Sequence, residues 1–229
     1  MRVVTFNIRH ARGLDNRCDI RRVAETLAAL QPDFAALQEV ACFRPDARFQ
    51  HQPRQLSRQL HMHRCFAPAW RLGPIRYGNL LLSKQPPITC SAHRLPHRGE
   101  PRVLLEAHFD RANGDRFALF ATHLGLSSTE RAQQAESIAS QITQCGLPAI
   151  LCLDANDEVT APCLQPLLHV LQDVGLKDTP SLATFPADRP QHRIDLILAT
   201  PHWQVEKVEV GPAGASDHLP LCVALTEKS

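Results

Sequence analysis

Aromatic side chains are scarce in this chain: nine Phe, two Trp and one Tyr among 229 residues. No aromatic-rich hairpin stands out that would dip into a lipid surface, and no apolar run approaches the roughly 20 residues of a membrane-spanning helix. Neither sign of charge is in excess. Lys and Arg total 25 against 23 Asp and Glu, a net +2, so the chain is neither a histone-like polycation nor an acidic protein. Any attraction to phosphate has to come from a local patch. The eight cysteines form no C-x-x-C pair and no zinc-like spacing. Cys152 and Cys222 lie in apolar runs, where a free thiol behaves as a small hydrophobe. The sequence runs straight into Val3-Val4-Thr5-Phe6, without the charged, apolar and small-residue pattern of a secretory signal. A reduced, soluble, cytoplasmic protein is expected, with monomer as the default state. No linker, repeat or low-complexity tract interrupts it, so residues 1–229 are expected to form one domain.

What is present reads as layered α/β structure. Residues 2–8 form a β-branched strand. Ile20, Val23, Ala24, Leu27 and Leu30 have the spacing of an amphipathic helix, with Asp19 as cap and Pro32 as stop. Residues 34–37 form a second strand ending at Gln38-Glu39, completing a β–α–β opening. Further strands are predicted at 78–83, 103–109, 117–122, 149–153, 194–199, 205–210 and 221–225. Helices are predicted near 53–60, 128–143 and 162–172. Ala112-Asn113-Gly114-Asp115 is a hairpin turn signal between antiparallel partners.

Polar residues recur where strand runs end: Asn7, Glu39, His123, Asp154 with Asn156, Asp195, and Asp217 with His218. Strand ends are where layered α/β proteins gather their sites. Any one of these residues alone reads as a cap, a turn former or a satisfied core group. Together they suit hydrolysis of a phosphoester, which needs a divalent cation, donors for developing charge and a group that activates water. Oxygen ligands without a thiolate or histidine cage favour a hard ion, Mg²⁺ or Mn²⁺. Glu39 and Asp217, with Asn7 alongside, are the candidate ligands. Asp154 is the candidate to orient and deprotonate water, Asn156 an amide donor, and His123 and His218 donors to phosphate oxygens or the leaving group.

The motifs Thr5-Phe6-Asn7-Ile8, Leu37-Gln38-Glu39-Val40, Tyr77-Gly78-Asn79 through Ser83, and Glu100-Pro101-Arg102 continue with Thr122-His123-Leu124, Leu153-Asp154-Ala155-Asn156, Arg193-Ile194-Asp195 and Ser216-Asp217-His218. In this order the chain resembles the endonuclease/exonuclease/phosphatase superfamily, which includes deoxyribonuclease I. The resemblance implies an α/β fold of four layers, two mixed β-sheets packed face to face with helices outside. It implies Glu39 as principal metal ligand with Asn7 and Asp217 near the ion, and Asp154 and Asn156 positioning water and phosphate. Asp195 would orient His218, and Glu100 would support His123 in the same manner. One departure stands out. Where the family usually has Gly-Asp before Phe-Asn, this chain has Leu153-Asp154 before Ala155-Asn156, keeping the Asp and the Asn.

Loops choose the substrate in such proteins. The segment 43–77 carries Arg44, Arg48, Arg54, Arg58, Arg64, Arg71 and Arg76 against Asp46 alone. Facing a cleft they would attract a polyanion; otherwise they are the solvated face of a helix near 53–60. Trp70 is expected to pack beneath this segment rather than stack on a base. The leading expectation is a nuclease or phosphodiesterase, with nucleic acid as a partner and no membrane insertion. The alternative is a hydrolase of phospholipid headgroups or of sugar or inositol phosphates. A non-catalytic binding protein on the same scaffold ranks last, because the reactive side chains are intact.

Overall fold

Most strand residues are buried on both faces, because each sheet is covered twice, once by the other sheet and once by helices. The computed structural model describes residues 1–111, 114–175 and 182–228. The strands are β1 (Arg2–Asn7), β2 (Phe34–Cys42), β3 (His63–Leu72), β4 (Ile75–Ser83), β5 (Thr89–Arg94), β6 (Val103–Asp110), β7 (Arg116–His123), β8 (Ala149–Asp154), β9 (Gln172–Asp173), β10 (Asp195–Ala199), β11 (Trp203–Val210) and β12 (Leu221–Glu227). The helices are α1 (Ile20–Leu30), α2 (Gln52–Leu60), α3 (Ser128–Cys145) and the short α4 (Gln165–Leu168). They build two mixed six-stranded sheets, in the orders β11-β12-β1-β2-β4-β3 and β5-β6-β7-β8-β10-β9.

Between the sheets, alternate residues such as Val3, Ala36, Leu81, Leu105, Leu119, Ile150, Ile197 and Val223 form a shared core. Phe34 packs edge-on to Phe109 and Phe117 there, at ring-centre distances of 4.9 and 5.6 Å. The outer face of the first sheet is covered by Val23 and Leu27 of α1 and Leu56 of α2, and that of the second by Ile138 and Ile142 of α3 and Leu167 of α4. The result is the expected four-layer sandwich. Each buried aliphatic side chain contributes about 1.5–3 kcal/mol relative to exposure. Among the described residues, no helix is long and apolar enough to cross a membrane.

The cap expected for α1 is present: Asp19 accepts a hydrogen bond from the Arg21 amide, and Gln31 closes the helix in the left-handed conformation. Other elements depart from expectation. β2 runs on to Cys42 with a bulge between Leu37 and Val40, rather than ending at Glu39. The helix expected near 162–172 reduces to a 3₁₀ turn at Pro162–Leu164 and the four residues of α4. β3 and β5, both sheet-edge strands, were not anticipated. At Gly78 the chains of β4 and β3 approach so closely that a Cβ would lie 2.1 Å from the Ala67 carbonyl oxygen. β6 and β7 pair antiparallel as the turn signal required, although Ala112 and Asn113 of that turn lie outside the described residues.

Candidate active site

The two sheets meet at one rim around the side chain of Asn7, the last residue of β1. Its amide nitrogen donates to Glu39 Oε1 (3.1 Å) and to Asp154 Oδ2 (2.8 Å), tying the first sheet to the second. Its oxygen accepts the Arg9 amide at 3.0 Å. Glu39 sits in the β2 bulge at φ +58°. A bulge re-aims one side chain, and left-handed backbone at a non-glycine residue costs on the order of 1–3 kcal/mol. The strain holds Glu39 toward the rim. Burial pushes the Glu39 carboxyl upward, but His123, the Asn7 amide, His10 and the Tyr77 hydroxyl outweigh it, and the net shift is downward. Glu39 is therefore a partly buried, ionised carboxylate.

Asp154 closes β8 and is completely buried. Its Oδ1 accepts the Asn156 amide at 3.0 Å, in a turn that places Asn156 at φ +52°, a conformation Asn tolerates. Burial raises this carboxyl, and the flanking His123 and His218, the Asn7 amide and the Asn156 N–H together bring it below the ordinary value.

Two imidazoles flank Asp154 Oδ2, with His123 Nε2 at 3.4 Å and His218 Nε2 at 3.8 Å. Behind His218, Nδ1 donates to Asp195 Oδ2 at 2.8 Å, and Phe185 packs on the ring at 4.7 Å. Burial opposes the charge on His218, but Asp195 and then Asp154 and Asp217 override it and raise the pKa to about 10. The proton of the Asp195–His218 pair therefore resides on the ring. Behind His123 stands a cation instead: Arg102 Nη1 donates to His123 Nδ1 at 3.2 Å. Because Arg can only donate, Nδ1 accepts and the ring proton sits on Nε2. Burial, reinforced by Arg102, lowers the His123 pKa, so the ring is neutral. Asn156 Nδ2 donates to the Leu124 carbonyl at 2.8 Å; its 2.9 Å approach to His123 Nε2 sets two N–H groups side by side and is not a hydrogen bond in this tautomer.

Asn7, Glu39, His123, Asp154, Asn156, Asp195 and His218 thus form one connected group. Asp217 lies at its margin, its carboxylate 3.3 Å from Arg9 Nε. Glu100 requires a correction: it does not back His123. Its carboxylate pairs at 3.6 Å with Arg102, which occupies that position, and the Glu100 side chain is 43% exposed. Arg102, Tyr77 and His10 are neighbours of the site that the strand-end pattern did not single out. Arg102 and Tyr77 stand in the Glu100-Pro101-Arg102 and Tyr77-Gly78-Asn79 motifs, and those motifs were the available signal. Arg102 is buried with its Nε unpartnered. It lines a small recess with Glu39, Tyr77, Asn79 and His123.

Of the seven arginines in 43–77, Arg44 reaches toward the site, its guanidinium 5.1 Å from the Tyr77 ring centre and 5.9 Å from that of Trp70. The other six are exposed, Arg54 and Arg58 on the outer face of α2. Trp70 packs on Tyr77 at 5.8 Å.

At this rim, two sets of described side chains offer donors to a divalent cation. One is the oxygen set around Glu39 and Asn7, with Asp217 nearby. The other is Asp154, Asp195 and His218, whose donor atoms lie within 4.8 Å of one another. A protonated His218 already bridges the carboxylates of the second set. The oxygen-only first set, with its ionised Glu39, fits a hard cation better.

The sequence profile of the endonuclease/exonuclease/phosphatase family matches residues 4–218, a span that contains every residue of this constellation. The chain belongs to that family. Its members are hydrolases acting on phosphoesters, typically with divalent metals. Solved structures of the family share the fold over the whole chain. An endonuclease/exonuclease/phosphatase from Beutenbergia cavernae DSM 12333 superposes with a TM-score of 0.83 at 22% identity, covering 100% of this chain and 72% of that one. A mannosyl-6-phosphatase from Bacteroides thetaiotaomicron VPI-5482 gives 0.79 at 20%, covering 99% of each. The human Nocturnin catalytic domain with a bound sulfate anion gives 0.76 at 22%, covering 100% and 94%. At these identities the likeness is one of fold. No curated protein sequence matches the chain.

Proposed function

We propose that this family member is a divalent-metal-dependent phosphodiesterase of the nuclease type, with residues 1–229 acting as one catalytic unit. The observation that carries the reading is the buried, ionised Asp154. Both its oxygens are held, by the Asn7 amide and the Asn156 N–H, and two histidines of opposite protonation stand against it. Such a carboxylate orients a water molecule and receives its proton as the P–O bond is attacked in line. His218, a cation throughout the neutral range, holds negative charge on a phosphoryl oxygen. Neutral His123 and the Asn156 amide supply further donors, and Asp195 keeps His218 oriented and charged. Glu39, Asn7 and Asp217 are the residues that would hold Mg²⁺ or Mn²⁺, and the ion would neutralise charge on the phosphate.

The phosphodiester reading rests on Arg9, Arg44 and Arg102 around the rim and on the exposed arginines continuing from Arg48 to Arg76, an arrangement suited to a polyanion. A second reading is favoured by the buried Arg102 and its free Nε, which suit a compact phosphomonoester, and by the fold shared with a mannosyl-6-phosphatase.

The test is a metal-dependent activity panel on the purified chain and its His218→Ala variant, covering plasmid DNA, single-stranded DNA, RNA, a chromogenic phosphodiester, mannose 6-phosphate and inositol phosphates. Nucleic-acid or diester cleavage by wild type only is the expected outcome. Release of inorganic phosphate from the sugar phosphates alone would replace the first reading by the second.

A further inference from the structure

A second cluster of ligand-type side chains lies on the outer face of the second sheet. β6 alternates: Leu105, Ala107 and Phe109 enter the shared core, while Leu104, Glu106 and His108 face α3. The antiparallel register places His93 of β5 opposite Leu104, on that same outer face. From above, Gln141 and Cys145 point down one turn apart at the end of α3. Glu106 is buried, and its partners are His93 Nε2 on Oε2 (2.6 Å), His108 Nε2 on Oε1 (2.7 Å) and Gln141 Nε2 on Oε2 (3.4 Å). Cys145 Sγ lies 3.7 Å from His108 Nε2. Donor atoms of Glu106, His108 and Cys145 all fall within 4.8 Å of one another. His108 is six residues along β6 from Arg102, roughly 20 Å at strand rise, so this cluster is separate from the site above.

We propose that Glu106, His108 and Cys145 bind a zinc-class transition-metal ion, with His93 holding the Glu106 carboxylate from behind. One oxygen, one imidazole nitrogen and one sulfur are the donors zinc takes, at about 2.0–2.3 Å in tetrahedral geometry. Donors bonded that way sit roughly 3.6 Å apart, close to the observed Sγ–Nε2 separation. The thiolate and imidazole disfavour Mg²⁺ and Ca²⁺. In the metal-free arrangement burial and the Glu106 charge keep the Cys145 thiol protonated. A divalent ion between the two groups reverses that influence, so binding displaces the thiol proton. The ligands come from β6 and α3, so the ion would clamp the helix end to the sheet. The spacing rules for zinc motifs miss such a site because its residues lie at 93, 106, 108 and 145.

The test is Co²⁺ titration of the full chain in excess Mg²⁺, which saturates oxygen-only sites, followed by displacement with Zn²⁺. The expected result is one equivalent of Co²⁺ with tetrahedral ligand-field bands and thiolate-to-metal charge transfer, both lost on adding Zn²⁺. Cys145→Ser should abolish the charge-transfer band. The shape-conserving Glu106→Gln should weaken Zn²⁺ binding at least about tenfold, and His93→Ala, by loosening the carboxylate, about 10- to 100-fold. Zn²⁺ should raise the melting temperature of wild type and not of Cys145→Ser. No thiolate band in wild type, or an unchanged band in Cys145→Ser, would overturn the proposal. So would unaltered Zn²⁺ affinity in a folded Glu106→Gln.

Discussion

Asp154 stands between two histidines that the chain supports in opposite ways. His218 is backed by a carboxylate, Asp195 at 2.8 Å, and is held as a cation with its pKa near 10. His123 is backed by a guanidinium, Arg102 at 3.2 Å, and its pKa is lowered. Both rings are buried, so burial does not distinguish them; the sign of the group behind does. Under the proposed function their roles would divide, the cationic ring stabilising negative charge on the phosphate and the neutral ring serving as a donor. A pair of identical carboxylate–histidine arms would have made two cations beside one carboxylate.

The largest effect is expected on removing what the two arms share. Asp154→Asn keeps shape but cannot take a proton, and phosphoester turnover should fall by about 10²–10⁴ with the melting curve retained. His218→Ala should follow, costing on the order of 10²–10³ as one charged donor is lost. His123→Ala should cost less. Equal losses at the two histidines, measured on one substrate at saturating metal, would erase the functional difference between the arms.

A pH series sharpens the contrast. A raised histidine pKa stabilises the fold fully below the unfolded value near 6.5. That contribution is lost as pH climbs through the folded value of about 10. Asp195→Asn removes the largest of the three carboxylate influences, so the His218 titration followed by imidazole NMR should move down toward 6.5, taking the alkaline limb of activity with it. Wild-type stability relative to this variant should shrink between pH 6.5 and 10, as urea unfolding would show. An unmoved His218 titration would mean that Asp195 does not set its charge.

Much of this was legible before any coordinates, and the failures have physical causes. Asn7, His123 and Asp154 terminate apolar strand runs in sequence and terminate β1, β7 and β8 in the structure, whereas Asp195 opens β10 instead of ending a strand. Glu39 was found for a partly wrong reason. The strand passes through it to Cys42, and a bulge with positive φ aims it, a backbone event that side-chain alternation does not display. β3 was not predicted because its apolar residues Cys65, Phe66, Ala67, Ala69 and Trp70 follow one another without polar alternation, Pro68 interrupts them and charged residues lie at both ends, although Cys65, Ala67 and Ala69 alternate in burial. The missing length of the 162–172 helix reflects Pro162 and Pro166, which favour helix starts and break interiors. The cleft-facing role of the arginine segment divides residue by residue: Arg44 turns inward over Tyr77, while Arg54 and Arg58 face solvent.

Glu100 and Arg102 give the finest test of the comparison. Glu100 was assigned to His123 as an implication of the family resemblance; Pro101 separates the two residues just before β6, and it is the guanidinium of Arg102 that faces the ring. Arg102→Gln removes the cation that, after burial, holds the His123 pKa down. The His123 titration should rise, and His123 should gain cationic character beside Asp154. Turnover should fall by more than in Glu100→Gln. Glu100 is partly exposed and pairs only with Arg102 at 3.6 Å, so its ion pair contributes no more than about 1 kcal/mol. Glu100→Gln should leave both the His123 titration and the turnover close to wild type. If Glu100→Gln shifted His123 as far as Arg102→Gln does, the carboxylate would be the true support of that ring, and the two arms of Asp154 would be alike after all.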